Sequence, residues 1–323
     1  MTELLDSLNA LASDSPYREI SAMKILDEDA YVFQLLLDPI RLLSPIQVNV
    51  DGYPGTSLAD QVFIRIRSQG GGCTFACKTC DAKNTKQVIN LTCLEIGYQV
   101  VDVVRSPLLS GANLNNLTIS FTGLGEPFAN KQIIQAIEWL HKVFPWAKFI
   151  VSTTGPKSSV RMVDELTKLF QHGIDIELQL SIHSLDQVWR LDFIGDKMFN
   201  GAPLKSITLE TLSNIANRWL EVTGRKVHAN FAIGPDFNAW NYDDYMHCMQ
   251  LFPPDTIICK LSLEGSNNGI SWNSKLFLRD LDERKLLMEA NGYKVFCYIP
   301  PGIDSGGSCG TEQSGKIFIV LPS

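Results

Sequence analysis

The stretch QVFIRIRSQGGGCTFACKTC (61–80) sets a strand-like run directly against a loop holding three glycines and three cysteines. From QVFIRIR (61–67) the pattern becomes regular and strand-like. Similar runs recur at 116–122, 147–154, 175–182, 226–233, 256–263 and 294–299. Helix-length segments separate them at 130–144, 158–173, 207–224 and 279–292. The last three end at or beside Gly173, Gly224 and Gly292, as left-handed C-caps prefer. Strands alternating with helices predict βαβ units and a mostly parallel sheet. Six or seven such units approach an α/β barrel without reaching eight. Chemistry in parallel α/β architectures gathers at the C-terminal strand ends, where the cysteine loop lies.

Residues 1–58 form a small N-terminal segment in this reading, and 59–323 the barrel. The segment shows short helical patterns at 1–13 and 27–38, with Pro39, Pro45 and the loop DGYPGTS following. The chain has 323 residues, 45% of them hydrophobic, enough for a sizeable core. Its 28 basic residues against 35 acidic ones give a net charge of −7, which argues against a broad nucleic-acid surface but not against a local basic pocket. The N-terminus lacks the basic and apolar regions of an export signal, and no apolar run is long enough to span a bilayer. The expectation is a cytoplasmic protein with no membrane partner. Eight cysteines in that setting point to metal binding or chemistry rather than disulfides.

Cys73, Cys77 and Cys80 follow a C-x3-C-x2-C spacing. Structural zinc closes with four protein ligands, and Cys93 is the available fourth. Three thiolates alone suit a [4Fe–4S] cluster with one iron open to an outside ligand. Gly70, Gly71 and Gly72 would let the backbone pack closely against it. The second strand runs into GLGEPFAN (123–130), where Gly123 and Gly125 permit a tight turn and Glu126 offers a carboxylate for an ammonium group. A solvated glutamate in a Gly-Pro turn is the plainer alternative. VSTTG (151–155) and LSIHS (180–184) end the third and fourth strands. Ser181 and His183, two apart, share a face if Ile182 points to the helices, and Ser152 and Thr154 follow the same rule. Such side chains fit a ligand's ribose and carboxylate, or simply close the rim. Asn267 in KLSLEGSNNG (260–269) has the same status.

These motifs, together with GIDSGGSCG (302–310), resemble the radical S-adenosylmethionine (SAM) superfamily, and within it the ribosomal-RNA adenine C2 and C8 methyltransferases RlmN and Cfr. The resemblance covers about residues 60–312. It implies a partial (β/α)6 barrel, a [4Fe–4S] cluster on Cys73, Cys77 and Cys80, and SAM held by Gly125, Glu126, Ser152, Ser181, Ile182, His183 and Asn267. It further implies that Cys309 is methylated by one SAM. A 5′-deoxyadenosyl radical from a second SAM then takes hydrogen from that methyl, and the carbon radical adds to an unsaturated carbon of the acceptor. An external electron donor such as flavodoxin or ferredoxin would reduce the cluster.

The chain departs from the family in four places. Thr79 replaces a frequent aromatic residue before the last cysteine, and Ile66 occupies the place of the cysteine that resolves the covalent adduct. Cys297 is a possible substitute for it. The N-terminal RNA-binding extension is shorter, and the basic C-terminal tail has no counterpart in KIFIVLPS. A small molecule, nucleoside or tRNA is therefore expected as substrate rather than ribosomal RNA. The segments 190–205 and 234–244, with Phe237 and Trp240, are the expected acceptor loops. Two further readings stand beside methyl transfer: direct hydrogen abstraction for rearrangement or coupling, and a non-catalytic iron–sulfur or zinc protein.

Overall fold

The computed structural model describes residues 2–24, 31–37, 46–51, 60–78, 80, 88–233, 242–263, 275–298 and 319–320. Helix α1 (Thr2–Ala12) opens the chain. Three antiparallel strands follow: β1 (Tyr17–Lys24), β2 (Tyr31–Leu37) and β3 (Ile46–Asp51). The barrel strands are β4 (Val62–Arg65), β5 (Leu117–Phe121), β6 (Lys148–Thr153), β7 (Ile176–Ser181), β8 (Val227–Ile233), β9 (Ile257–Leu263) and β10 (Lys294–Tyr298). All seven pair in parallel and in sequence order. β3 joins β4 antiparallel, and β11 (Ile319–Val320) pairs with β1. Among the described residues these strands form one eleven-stranded sheet. Its parallel part is an α/β half-barrel.

The helices are α2 (Cys93–Val104), α3 (Gln132–Val143), α4 (Ser159–Gln171), α5 (Gln187–Phe193), α6 (Leu209–Thr223), α7 (Tyr242–Leu251) and α8 (Lys275–Ala290). Local sequence explains their ends. Thr92 accepts the Glu95 N–H of α2, and the Glu95 carboxylate accepts the Thr92 N–H at 2.7 Å, closing a reciprocal cap. At the far end of α6, Gly224 takes φ 68°, a conformation that costs glycine nothing.

Alternation within the strands divides two faces. Phe149 and Val151, Ile176, Leu178 and Leu180, Ala229 and Phe231, and Cys259 and Leu261 are buried beneath the helices. Burying each large apolar side chain contributes about 1.5–3 kcal/mol. The opposite, concave positions are Lys148, Ile150 and Ser152, then Glu177 and Gln179, then His228 and Asn230, then Lys260 and Ser262. A closed barrel fills this side with apolar layers. Here it is polar and partly open.

The N-terminal segment differs from expectation at 27–38. Residues 31–37 form strand β2, with Phe33 and Leu35 buried on one face. Its apolar run satisfies a helical pattern as well as a strand, and pairing with β1 and β3 on both sides decides the matter. The helix expected at 1–13 is present as α1, and it docks on α2. Tyr98 donates to Leu11 O at 2.9 Å, and Arg105 Nε donates to Asn9 Oδ1 at 2.9 Å.

Candidate active site

The cysteine loop leaves β4 and is held from two sides. From one side, Gln69 acts as a clamp. Its carboxamide nitrogen donates to Thr74 Oγ1 at 2.9 Å and Asn90 Oδ1 at 2.7 Å, while its oxygen accepts the N–H groups of Thr74 and Glu126. One side chain thus ties the cysteine loop to the glutamate turn. From the other side, Ala76 N–H donates to Ile194 O and Lys78 N–H to Phe193 O, anchoring the loop on the end of α5. Lys78 also pairs with Asp192.

Glycines make these approaches possible. Gly125 has φ 111°, and a Cβ there would lie 2.9 Å from the Gln69 nitrogen. Gly195, just beyond α5, has φ 69°, and a Cβ would meet Ala76 O at 2.8 Å. Any L side chain at either place would push the loop away.

Cys73, Cys77 and Cys80 lie along this loop, each half-buried. Cys73 and Cys77 rest against a small apolar cluster of Phe75, Leu191, Phe193, Ile194 and Ala232. Burial, together with the nearby Glu126 charge, pushes the Cys73 thiol up to about 12, although the N–H groups of Phe75 and Gly125 point at its sulfur and oppose the shift. Among the described residues, no three His, Cys, Asp or Glu side chains are gathered into a group that could hold a metal ion. Cys93 lies on α2 beside Gln132, with Glu138 and Lys142 as charged neighbours. Cys297 is exposed on β10. Ile66 is buried in the main core.

Glu126 is 2% exposed and takes up its own set of donors. One oxygen accepts Thr153 Oγ1 at 2.6 Å and Phe128 N–H at 3.0 Å; the other accepts Thr154 N–H at 2.8 Å. Burial still leaves its carboxyl above the usual range, since three hydrogen bonds only partly replace lost water. Ser152 points to the concave face, where Gln179 Nε2 donates to its hydroxyl at 3.0 Å. Ser181 ends β7 half-buried and pairs in register with Asn230. Ile182 is fully buried.

His183 does not continue the strand face of Ser181. The strand stops at Ser181, and His183 has φ 62°, a left-handed turn. Its ring packs 4.7 Å from that of Phe193, and its Nδ1 is buried with no partner. Burial, then the positive charge of Arg190, pull the imidazole down to about 3, so it is neutral.

Sequence reasoning missed Arg190. It sits on α5, within the segment expected to face an acceptor, and its side chain is fully buried. One guanidinium nitrogen donates to Thr154 O, while Nε and Nη1 have no partner. Cys77, Asp196 and Glu126 are the negative groups that act on it. Asp196 is already engaged, accepting from the N–H groups of Lys197, Lys205 and Ser206 and from the Ser206 hydroxyl. A buried cation with idle donors calls for an anion in the space before it. An anionic centre on the cysteine loop, or a cofactor carboxylate, would meet that demand. The signal in the sequence was faint: Asp186 at the N-cap of a seven-residue helix. Asn267 and Cys309, with Thr79, Phe237 and Trp240, lie outside the described residues.

Comparisons with known proteins bear on this arrangement. No protein-family model matches the chain. It is 25% identical over 228 residues to a probable dual-specificity RNA methyltransferase RlmN of Corynebacterium efficiens, covering 66% of this chain and 59% of that protein. The RlmN protein of the same description from Salinispora arenicola is 29% identical over 198 residues, 59% of this chain and 49% of that one. For Thermosipho melanesiensis the figures are 23% over 252 residues, 76% and 68%. The chain spans about half the length of most of the curated relatives it matches. Among solved structures, a radical SAM methyltransferase from Sphaerobacter thermophilus superposes with a TM-score of 0.74 at 18% identity, over 94% of this chain and 84% of that one. The chain therefore has the fold of a radical SAM methyltransferase and resembles RlmN proteins in sequence.

Proposed function

We propose that the protein is a radical SAM methyltransferase acting on an unsaturated carbon of a substrate smaller than the ribosome, with Cys309 as methyl carrier. The observation that carries this reading is the Gln69 clamp, which fixes the cysteine loop against the Gly125–Glu126 turn at the C-terminal ends of the parallel strands. A structural metal loop has no use for a carboxylate turn locked to it.

Cys73, Cys77 and Cys80 would hold a [4Fe–4S] cluster, and Glu126 with the Ser181–His183 turn would hold SAM. Such a cluster, when bound, would supply the one electron that cleavage of SAM needs. The chain's own residues do the rest. Arg190 would balance the negative charge of the cluster and its thiolates in a site closed to water. The elevated thiol of Cys73 must lose its proton when metal binds, so loading would release protons and weaken as pH falls. Neutral His183 could accept or donate a hydrogen bond through Nδ1 without adding charge.

The test is intact-protein mass spectrometry of anaerobically reconstituted protein incubated with SAM, with Cys309→Ala beside it. Gain of one methyl group, abolished in the variant, is the expected result. No gain, with 5′-deoxyadenosine formed under reduction, would move the assignment to direct hydrogen abstraction. The buried Ile66 in place of a resolving thiol favours that second reading.

A further inference from the structure

The concave face of the half-barrel carries a charge pattern that cofactor binding does not use. From β6 to β10 its inward positions present Lys148, Lys260 and Lys294 with His228, against one carboxylate, Glu177, among the described residues. Lys148 pairs with Glu177 at 2.6 Å, and His228 Nε2 lies 4.0 Å from the same carboxylate. Burial, opposed by Glu177 and reinforced by Lys260, Lys148 and Lys294, keeps the imidazole below its usual range. The face is thus basic in a protein of net charge −7.

Lys260 is the central member. It stands in the middle of β9, half-buried, where a parallel strand ordinarily carries apolar residues on both sides. Its Nζ donates to Gln179 Oε1 at 3.2 Å, and the other end of that amide donates to Ser152. Gln179 and Ser152 thereby hold the ammonium over three strands. Ile150, Ile258 and Phe296 occupy neighbouring inward positions, and His228 meets the Phe296 ring edge-on at 5.6 Å. Apolar walls around a few convergent polar groups describe a small-molecule site.

We infer that this face binds a small anionic acceptor, seating its phosphate or carboxylate group on Lys260 with Lys294 and His228 beside it. The inference rests on the function proposed above, because it assigns the anion to the acceptor. Lys260 pairs in register with Asn230, which pairs with Ser181. An anion held there leaves the rest of the molecule to extend toward the Ser181–His183 end of the strands. A short polar molecule satisfies that geometry, because Lys260 is half-buried within the curve of the sheet while Lys294 is exposed on its edge strand.

The test is titration calorimetry on the full chain, anaerobically reconstituted with iron and sulfide, with two probes, inorganic pyrophosphate and tricarballylate. Saturable binding of either is expected, weakened about tenfold or more in Lys260→Gln. Lys294→Gln should weaken it less, and Lys168→Gln, on the outer helix α4, should leave it unchanged. The probe that binds tells phosphate from carboxylate. Absence of saturable binding, or equal affinity in folded Lys260→Gln as judged by circular dichroism, overturns the inference. SAM is titrated into the same preparation: binding of SAM without binding of either anion sinks the anion site alone. Anion binding without SAM binding sinks the proposed cofactor chemistry instead.

Discussion

His183 and Glu126, in the turns that follow β7 and β5, show how loss of water couples protonation to the fold. With its pKa drawn down to about 3, His183 stays neutral in the fold, whereas the unfolded chain protonates it near 6.5. The unfolded state therefore binds more protons between those limits. Stability is fully present above about pH 6.5 and is lost as pH falls toward 3. His183→Asn, which tolerates the left-handed turn, should reduce that loss, and urea midpoints at pH 7 and pH 5 for both proteins check it. At Glu126 the charge also acts on its neighbour. Glu126→Gln keeps an acceptor for Thr153 but removes the anion that adds to burial in raising the Cys73 thiol. Alkylation of Cys73 should then begin at lower pH, and SAM affinity should fall about tenfold or more, with the amount of bound iron unchanged. Both residues were legible in the sequence as polar groups at strand ends. Their state was not, because burial, which dominates at both, cannot be read from a motif, and Arg190, which adds to it at His183, lies on a different element.

At the level of elements, the seven parallel strands were legible because every one has an apolar face beneath helices, so their runs stand out from the intervening segments. Two elements were not. β2 presents an apolar run that fits a helix equally well until both of its neighbours are known. Helix α5 spans seven residues, too short for a periodic pattern. The expected acceptor loop at 190–205 proves to be, in its first part, the seat of the cysteine loop, through Phe193, Ile194 and Gly195. Gly195→Ala tests that role. The new Cβ meets the Ala76 carbonyl, and the φ of 69° disfavours it further, for a cost of about 1–3 kcal/mol. A lower urea midpoint should come with reduced iron and sulfide uptake on reconstitution. Full uptake in a destabilised variant would show that the contact serves stability only.

Across the whole molecule, β10 and β11 follow one another in the chain yet stand at opposite edges of the sheet. Ser21 and Ala22 of β1 pair with Val320 and Ile319. The middle strands, by contrast, are joined by single βαβ steps between near neighbours in sequence. Loop-closure entropy opposes distant pairings until nearer ones have drawn the ends together. Refolding followed by pulse-labelled hydrogen exchange should therefore protect the amides of β6 and β7 before that of Ala22; simultaneous protection would contradict this order. The same wiring has a meaning during synthesis on the ribosome. The half-barrel can assemble strand by strand as it emerges, but the seam with β1 waits until residues 319–320 have left the ribosome, so a nascent chain paused before them would hold its barrel while leaving the edge of β1 open to a foreign strand.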